Sequence, residues 1–465
     1  MPLTLRPYQT DDVERLRTSY ADGNRAVLFC LPTGAGKTVV FGHILDRATS
    51  KGRRSAVLAH RRELIRQASD KLALTGVPHG IVAAGLDRDH DAPVLVLSVQ
   101  TAIRRLDRLP RFDFVVIDEA HHARAGTWTQ LLAAWPDAKL LGVTATPARS
   151  DGKGLGVQSG GLFDALVVGA SVTELQADGY LARTRCFVPA SRIDVSGLRT
   201  TLGDWEASAL AERAGSVTGD AVAEYRRHAD HAPAIAYCAT VRHAEDVASA
   251  FRGAGYRAAC VHGELPPDER DRLIAGLGSG TIEVLTSCDL ISEGLDVPDV
   301  RAVLLLRPTQ SLVLALQQIG RGMRPAFGKT HLAVLDYAGN TLRHGLPETE
   351  RAWSLDDAPR RQREGVALPV TAWRCEECGC LNDLSDVLCA ECGLSRPQPR
   401  RAPQVIDGKL AEVSADHFDR IVNLPYRQLL AARRTKDELR AYAEEHGYKP
   451  GWVWHRLREQ REQDS

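Results

Sequence analysis

The chain has 465 residues, 44% of them apolar, and 59 Lys and Arg balance 59 Asp and Glu. That length allows two or three domains with full cores, and the zero net charge excludes capture of nucleic acid by a global basic field, leaving only local patches. No signal-peptide layout opens the sequence and no apolar run approaches the ~18 residues of a membrane span, so a soluble, cytoplasmic protein without a membrane partner is expected.

The first distinctive residues are Arg6-Pro7-Tyr8-Gln9, just ahead of a helical stretch. A Gln amide offers one donor and one acceptor, which suits the edge of adenine. From about residue 25 to 182, short apolar runs alternate with helix-like segments. The runs are 26–31, 56–59, 94–98, 114–117 and 140–144. Each is β-branched or Leu-rich and bounded by Gly, Pro, Asp or Ser. That pattern predicts a parallel sheet buried on both faces with helical crossovers.

Directly after the first run stands Leu31-Pro32-Thr33-Gly34-Ala35-Gly36-Lys37-Thr38. Thr33, Gly34, Ala35 and Gly36 form a turn whose amides can cradle phosphate oxygens at a helix start. Lys37 would reach the β- and γ-phosphates, and the Thr38 hydroxyl would bind Mg²⁺. Leu31 stands where the common pattern has its first Gly. Some eighty residues on, Asp118-Glu119-Ala120-His121 follows the run 114–117. Carboxylates at a strand's C-terminal end lie where open α/β sheets bind ligands. Asp118 would hold Mg²⁺ through water, and Glu119 would orient or deprotonate the attacking water. His121 is expected to relay hydrogen bonds, and His122 to be a surface residue. Together these segments predict a nucleoside triphosphatase.

The alternating pattern returns from about 217 to 341, with runs at 234–238, 258–261, 283–287, 302–306 and 332–335. Two α/β lobes are therefore expected, joined near 190–210. In the second, Gln317-Gln318-Ile319-Gly320-Arg321-Gly322-Met323-Arg324 places two arginines on one helix face. Arg321 and Arg324 would reach the γ-phosphate from across the cleft.

Residues 345–370 are rich in Pro, Arg and Asp and suggest a linker. Then comes Cys375-x2-Cys378-x10-Cys389-x2-Cys392, the spacing of a tetrahedral Zn²⁺ site built from two knuckles. Four thiolates leave no open position, so the ion is structural. Cys380 is spare. The tail carries helical periodicity and mixes Arg433, Arg434, Lys436, Lys449 and Arg456 with Trp452, Trp454 and His455. It suits base stacking or a small helical domain with Trp in its core.

In order, these motifs resemble those of superfamily 2 helicases of the DEAD/DEAH-box type across about residues 3–340. The set is completed by Ala59-His60-Arg61-Arg62-Glu63-Leu64, Ser98-Val99-Gln100-Thr101, Thr144-Ala145-Thr146, Val261-His262-Gly263 and Glu293-Gly294-Leu295-Asp296-Val297-Pro298. The closer likeness is to RadD-like bacterial helicases, which also carry a cysteine-rich element after the second lobe. The finger resembles the Ran-binding-protein type, with Trp373 and Asn382 in place.

The resemblance implies two tandem RecA-like lobes of α/β class, parallel sheets with helices on both faces, followed by a small four-cysteine zinc finger and a helical tail. The expected limits are 1–190 and 210–344 for the lobes, 345–370 for the linker, 371–395 for the finger and 406–465 for the tail. It implies that Thr144, Thr146, His121 and Gln317 couple hydrolysis to lobe movement. It also implies that Arg62, Gln100, Thr101 and His262 line a nucleic-acid path, and that Gly294 and Asp296 touch both nucleotide and strand. Cys288 stands where many members have a Thr that contacts the backbone. ATP, Mg²⁺ and Zn²⁺ are the implied cofactors, with Arg6 and Gln9 at the nucleotide. The implied activity is an ATP-dependent helicase or translocase in DNA repair or recombination, on single-stranded or branched DNA, beside single-strand-binding or recombination proteins. An RNA helicase, or an ATP-gated DNA-binding adaptor with little unwinding, are the alternatives.

Overall fold

The computed structural model describes residues 4–60, 62–123, 126–148, 153–188, 218–288, 299–357, 372–384, 386–396, 421–432, 434–449 and 451–462, together with 200, 201, 204, 205 and 210. Residues 1–397 form one compact unit and 398–465 another.

In chain order the strands are β1 (Ala26–Cys30), β2 (Ser55–Ala59), β3 (His79–Val82), β4 (Val94–Ser98), β5 (Phe114–Asp118), β6 (Lys139–Thr144), β7 (Ala165–Val168), β8 (Arg183–Phe187), β9 (Thr200–Thr201), β10 (Asp204–Trp205), β11 (Ala234–Tyr237), β12 (Ala258–Val261), β13 (Val284–Ser287), β14 (Ala302–Leu305), β15 (His331–Asp336), β16 (Ala372–Arg374) and β17 (Cys380–Asp383). The first lobe is a seven-stranded sheet in the order β3-β4-β2-β5-β6-β1-β7, parallel at every described pairing. Strands β1, β2 and β4 are buried at every residue, as near-continuous apolar strands in a doubly covered parallel sheet must be. Two core layers follow. One packs Val27, Phe29, Val57 and Val96 against the helices Lys37–Thr49 and Arg62–Leu74. The other packs Leu28, Leu58, Leu97 and Val115 against Trp128, Leu131 and Trp135.

The second sheet runs β12-β13-β11-β14-β15-β8-β17-β16. Six of its strands are parallel. The last two add antiparallel at the edge, β17 pairing with β8 through Cys380↔Phe187 and Leu381↔Cys186. Ser311 caps the helix Leu312–Gly320, and Thr240 caps Val241–Gly253. Among the described residues, no helix is long and apolar enough to cross a membrane.

Two features differ from the sequence expectation. The lobe boundary at 190 falls one strand late: β8 pairs with β15 in the second sheet, Arg183↔His331 through Phe187↔Leu335. The expected linker at 345–370 is partly an ordered strap. Residues 346–357 return from the second lobe to the first, where Leu355 joins the apolar core. There Gly156 N–H donates to Leu355 O at 2.9 Å, and Gly154 N–H donates to Asp357 at 2.9 Å. A Cβ on Gly154 would lie 2.2 Å from Leu355 O, so only glycine admits the strap. Residues 358–371 lie outside the described residues.

The C-terminal unit packs the helices Tyr426–Leu430, Lys436–Glu445 and Gly451–Glu462 around Ile421, Leu429, Leu439, Tyr442 and Val453. Thr435 and Glu438 form a reciprocal capping box. Trp452 is half-buried and stacks on Tyr448 at 4.7 Å, as a core residue does, while Trp454 is 58% exposed. Arg433 is outside the described residues.

Candidate active site

Strand β1 delivers the glycine loop. Gly34 has φ +87° and Gly36 φ +82°, a left-handed backbone open to glycine at little cost. Gly36 caps the helix Lys37–Thr49, so the helix's first amides, with their partial positive charge, face the cleft. A Cβ on Gly36 would lie 2.7 Å from the Gln9 amide nitrogen, and one on Gly34 would press on Leu181 and Arg324 at 3.2 Å. Gln9 is 2% exposed. Its oxygen accepts from Arg6 N–H at 3.0 Å, and its nitrogen donates to Ala35 O at 3.3 Å. Tyr8 Oη also donates to Ala35 O at 2.7 Å. In this structure Gln9 braces the phosphate loop rather than presenting a free amide edge. Arg6 lies 4.7 Å over the ring of Tyr180, which the sequence did not single out.

Lys37 is half-buried at the floor of the cleft and donates to Leu31 O at 3.3 Å. Burial holds its amine below the usual lysine range, and the neighbouring Glu119 and Asp118 oppose that shift. Asp118 ends β5 and accepts from Glu119 N–H at 2.9 Å. Burial, and then Glu119, push its carboxyl up to about 6, with Lys37 pulling the other way. Glu119 sits at φ +47°, ψ +54°, a left-handed conformation that costs a non-glycine residue about 1–3 kcal/mol. The sharp turn brings Glu119 and His121 together, with one Glu119 carboxylate oxygen 3.5 Å from His121 Nδ1.

His121 is bonded at both ring nitrogens. The Thr144 hydroxyl donates to Thr146 O at 3.0 Å, and His121 Nδ1 lies 3.0 Å from that hydroxyl. Its Nε2 faces the amide nitrogen of Gln317 at 3.4 Å. Thr146 N–H donates to Thr144 Oγ1 at 3.1 Å, and both threonines are buried. One imidazole therefore touches the carboxylate motif, the Thr-Ala-Thr segment and the second lobe.

Across the cleft, Gly320 lies so close to the loop that a Cβ would meet Thr33 at 2.6 Å. Ala182 N–H donates to Met323 O at 2.7 Å. Arg321, 8% exposed, and Arg324 face the same cleft of about 320 Å³ as Thr33, Gly34, Gly36, Lys37, Thr38, Asp118 and Glu119. Lys71 lines it too, a residue that sequence reasoning missed. It belongs to the stripe Leu64, Gln67, Lys71 and Thr75 that helical spacing puts on one face. Burial lowers both the Lys71 and Arg324 pKa values. Four cations and two carboxylates leave a surplus of two positive charges, which suits a magnesium-bound triphosphate. The donors fit the expected ion: Thr38 and Asp118 would hold Mg²⁺, which would neutralise the phosphate oxygens.

The residues matched to a nucleic-acid path stand at strand ends. Arg62 opens its helix and is exposed. Gln100 and Thr101 follow β4, and His262 follows β12. Cys288 follows β13 and meets Ala239 O at 3.4 Å. Gly294 and Asp296 lie outside the described residues.

The four thiols of Cys375, Cys378, Cys389 and Cys392 lie within 4.8 Å of one another. Two pairs stand 3.6 and 3.5 Å apart, close to the about 3.8 Å edge of a tetrahedron with 2.3 Å zinc–sulfur bonds. Cys380 points instead to Leu381 O, inside β17. Burial opposes ionisation of Cys389, yet backbone N–H groups of Cys392 and Glu391 bring its thiol down to about 6. Asn382 donates to Cys389 Sγ at 3.6 Å and accepts from Ala390 N–H at 2.8 Å, and Trp373 donates to Asp386 O at 3.1 Å. The donor set fits zinc. The cluster is continuous with the second lobe's sheet and is clamped by an Arg185–Glu391 pair at 2.7 Å.

Comparison with known proteins agrees with this geometry. Residues 2–149 match the family "Type III restriction enzyme, res subunit", and residues 219–326 match "Helicase conserved C-terminal domain". A 51.5 kDa protein of a Lactococcus phage is 36% identical over 78% of this chain and 76% of its own length. A candidate ATP-dependent helicase of Saccharomyces cerevisiae, IRC3, is 28% identical over 72% of this chain, which spans 51% of that protein. In fold, the chain resembles a fragment of a candidate HsdR subunit of a type I restriction enzyme from Vibrio vulnificus. The TM-score is 0.59 at 22% identity, over 75% of this chain and 67% of that one.

Proposed function

Because the chain belongs to the superfamily 2 helicases, a class of ATP-hydrolysing enzymes, we propose that its hydrolysis is driven by DNA and that it translocates on or unwinds single-stranded or branched DNA in repair or recombination. The observation that carries this reading is His121. A hydrolytic carboxylate, the Thr-Ala-Thr segment and Gln317 of the opposite lobe meet on one ring. A change at the γ-phosphate thereby becomes a change in lobe contact, and a strand gripped by both lobes is stepped. Grip through helix starts and hydroxyls on phosphates carries little sequence preference. The restriction-enzyme match over the first lobe and the RadD-like order of motifs favour DNA over RNA. Arg6 is assigned to the adenine side of the nucleotide, and Gln9 to bracing the phosphate loop beneath it. Arg62, Gln100, Thr101 and His262 are assigned to the strand, with single-strand-binding or recombination proteins as partners.

The test is the ATPase rate with single-stranded DNA, duplex DNA and RNA in parallel. Stimulation of about tenfold or more by DNA is expected, the scale of ~1.4 kcal/mol of coupling. Stimulation by RNA alone makes it an RNA helicase. Tight DNA binding with negligible turnover makes it an adaptor.

We further assign one structural zinc to each chain. Metal analysis of the purified protein is expected to find one equivalent. Cys375→Ser is expected to lose it and to lower the melting temperature, since β16 and β17 are held by the knuckles, and metal affinity in such sites is folding energy. No metal, or more than one ion, counts against the finger.

A further inference from the structure

The order of strands brings together three segments that are far apart in sequence. In the first sheet β4, β2 and β5 are neighbours, so the residues that follow them share one rim. Gln100 follows β4, His60 follows β2, and His121 and His122 follow β5. The Gln100 side-chain amide donates to the His60 carbonyl at 3.5 Å. The rings of His60 and His122 are 4.7 Å apart, and those of His122 and His121 are 4.1 Å apart. His121 in turn bonds Thr144 and faces Glu119 and Gln317. The sequence suggested a surface role for His122, but its ring is half-buried and sits between those of His121 and His60.

We propose that His60 and His122 are positioning residues that carry the presence of a bound strand, through packed imidazoles, to His121 and hence to Glu119. This rests on the reading of the chain as a nucleic-acid-stimulated ATPase. Movement of Gln100 or Arg62 against a phosphate backbone shifts His60, and His60 cannot shift without the ring packed on it. His122 carries that displacement to His121, which is held by directional bonds on both nitrogens. Neither His60 nor His122 touches the nucleotide in this scheme. Removing one changes how the site answers to the strand, not how the strand is held.

The test uses the full chain. Steady-state ATPase is measured with and without a thymidine 30-mer, and binding of the same oligomer is measured by fluorescence anisotropy. His122→Ala is expected to lower the ratio of stimulated to unstimulated rate by about tenfold, within the usual span of coupling between sites, with oligomer Kd unchanged within twofold. His122→Phe keeps a ring between its neighbours and is expected to recover most of the ratio, which a general folding defect would not allow. His60→Ala should match His122→Ala, and the double variant should be no worse than either. Wild-type stimulation in His122→Ala, or additive effects in the double variant, overturns the relay while leaving the ATPase reading in place. A wild-type enzyme that no nucleic acid stimulates overturns that reading, and the relay with it.

Discussion

Lys37→Ala and Glu119→Gln should each abolish ATP turnover, by a factor of at least about 10³, the scale lost when preorganised charge is removed from a transition state, and for different reasons. The Lys37 amine lines the cleft beside Asp118 and Glu119. Removing it strips the phosphates of their central cation and leaves two carboxylates facing each other, so nucleotide affinity should fall together with rate. Glu119→Gln keeps the shape and removes the charge. Its nucleotide affinity should survive while the attacking water loses its base. Equilibrium binding of a fluorescent ATP analogue beside steady-state turnover separates the two. Both variants should melt close to the parent temperature, because neither side chain belongs to an apolar core. Normal hydrolysis in either refutes the site.

Arg321→Ala should be nearly as severe, and it acts from the other lobe. A guanidinium that stabilises charge on the departing phosphoryl group is worth about 10³ to 10⁵ in kcat. Arg321 is 8% exposed, and it faces the cleft from the segment after the helix Leu312–Gly320. The first lobe keeps its loop, Lys37 and Asp118, so nucleotide binding should weaken far less than turnover. Arg324→Ala should fall in the same direction. Single-turnover kinetics at saturating ATP is the measurement: a normal chemical step in both variants removes the arginines from the reaction.

Much of the first sheet was legible before the structure. The apolar runs at 26–31, 56–59, 94–98, 114–117 and 140–144 correspond to β1, β2, β4, β5 and β6 within a residue at each end. They are strands buried on both faces, where composition alone is diagnostic. Of the strands that went unseen, β3 and β8 lack that signature. β3 is four residues with a glycine, and β8 reads Arg-Thr-Arg-Cys-Phe. Nothing local marks β8 as a strand, because what it satisfies lies elsewhere: Arg185 pairs with Glu391, and Cys186 with Leu381. The strap at 346–357 was hidden for the same reason, since the glycines that admit it lie some two hundred residues earlier.

At the site, the sequence motifs pointed to Lys37, Thr38, Asp118, Glu119, Arg321 and Arg324, which line one cleft in the structure, because each of those motifs is a local turn with its own chemistry. Lys71 and Tyr180 were not, since each enters only through helix packing or a loop crossing. Gln9 was legible as a residue of the site but not as a brace of the loop. The contact of His122 with His60 was not legible, because the two become adjacent only once β2 lies beside β5.

A structure with a non-hydrolysable ATP analogue and Mg²⁺ tests the central idea most directly, namely that the triphosphate joins the two lobes. The expected result places Lys37 and at least one of Arg321 and Arg324 within about 3 Å of γ-phosphate oxygens, the distance of a charge-assisted hydrogen bond. An analogue held by the first lobe alone, with both guanidiniums turned away from it, contradicts the account.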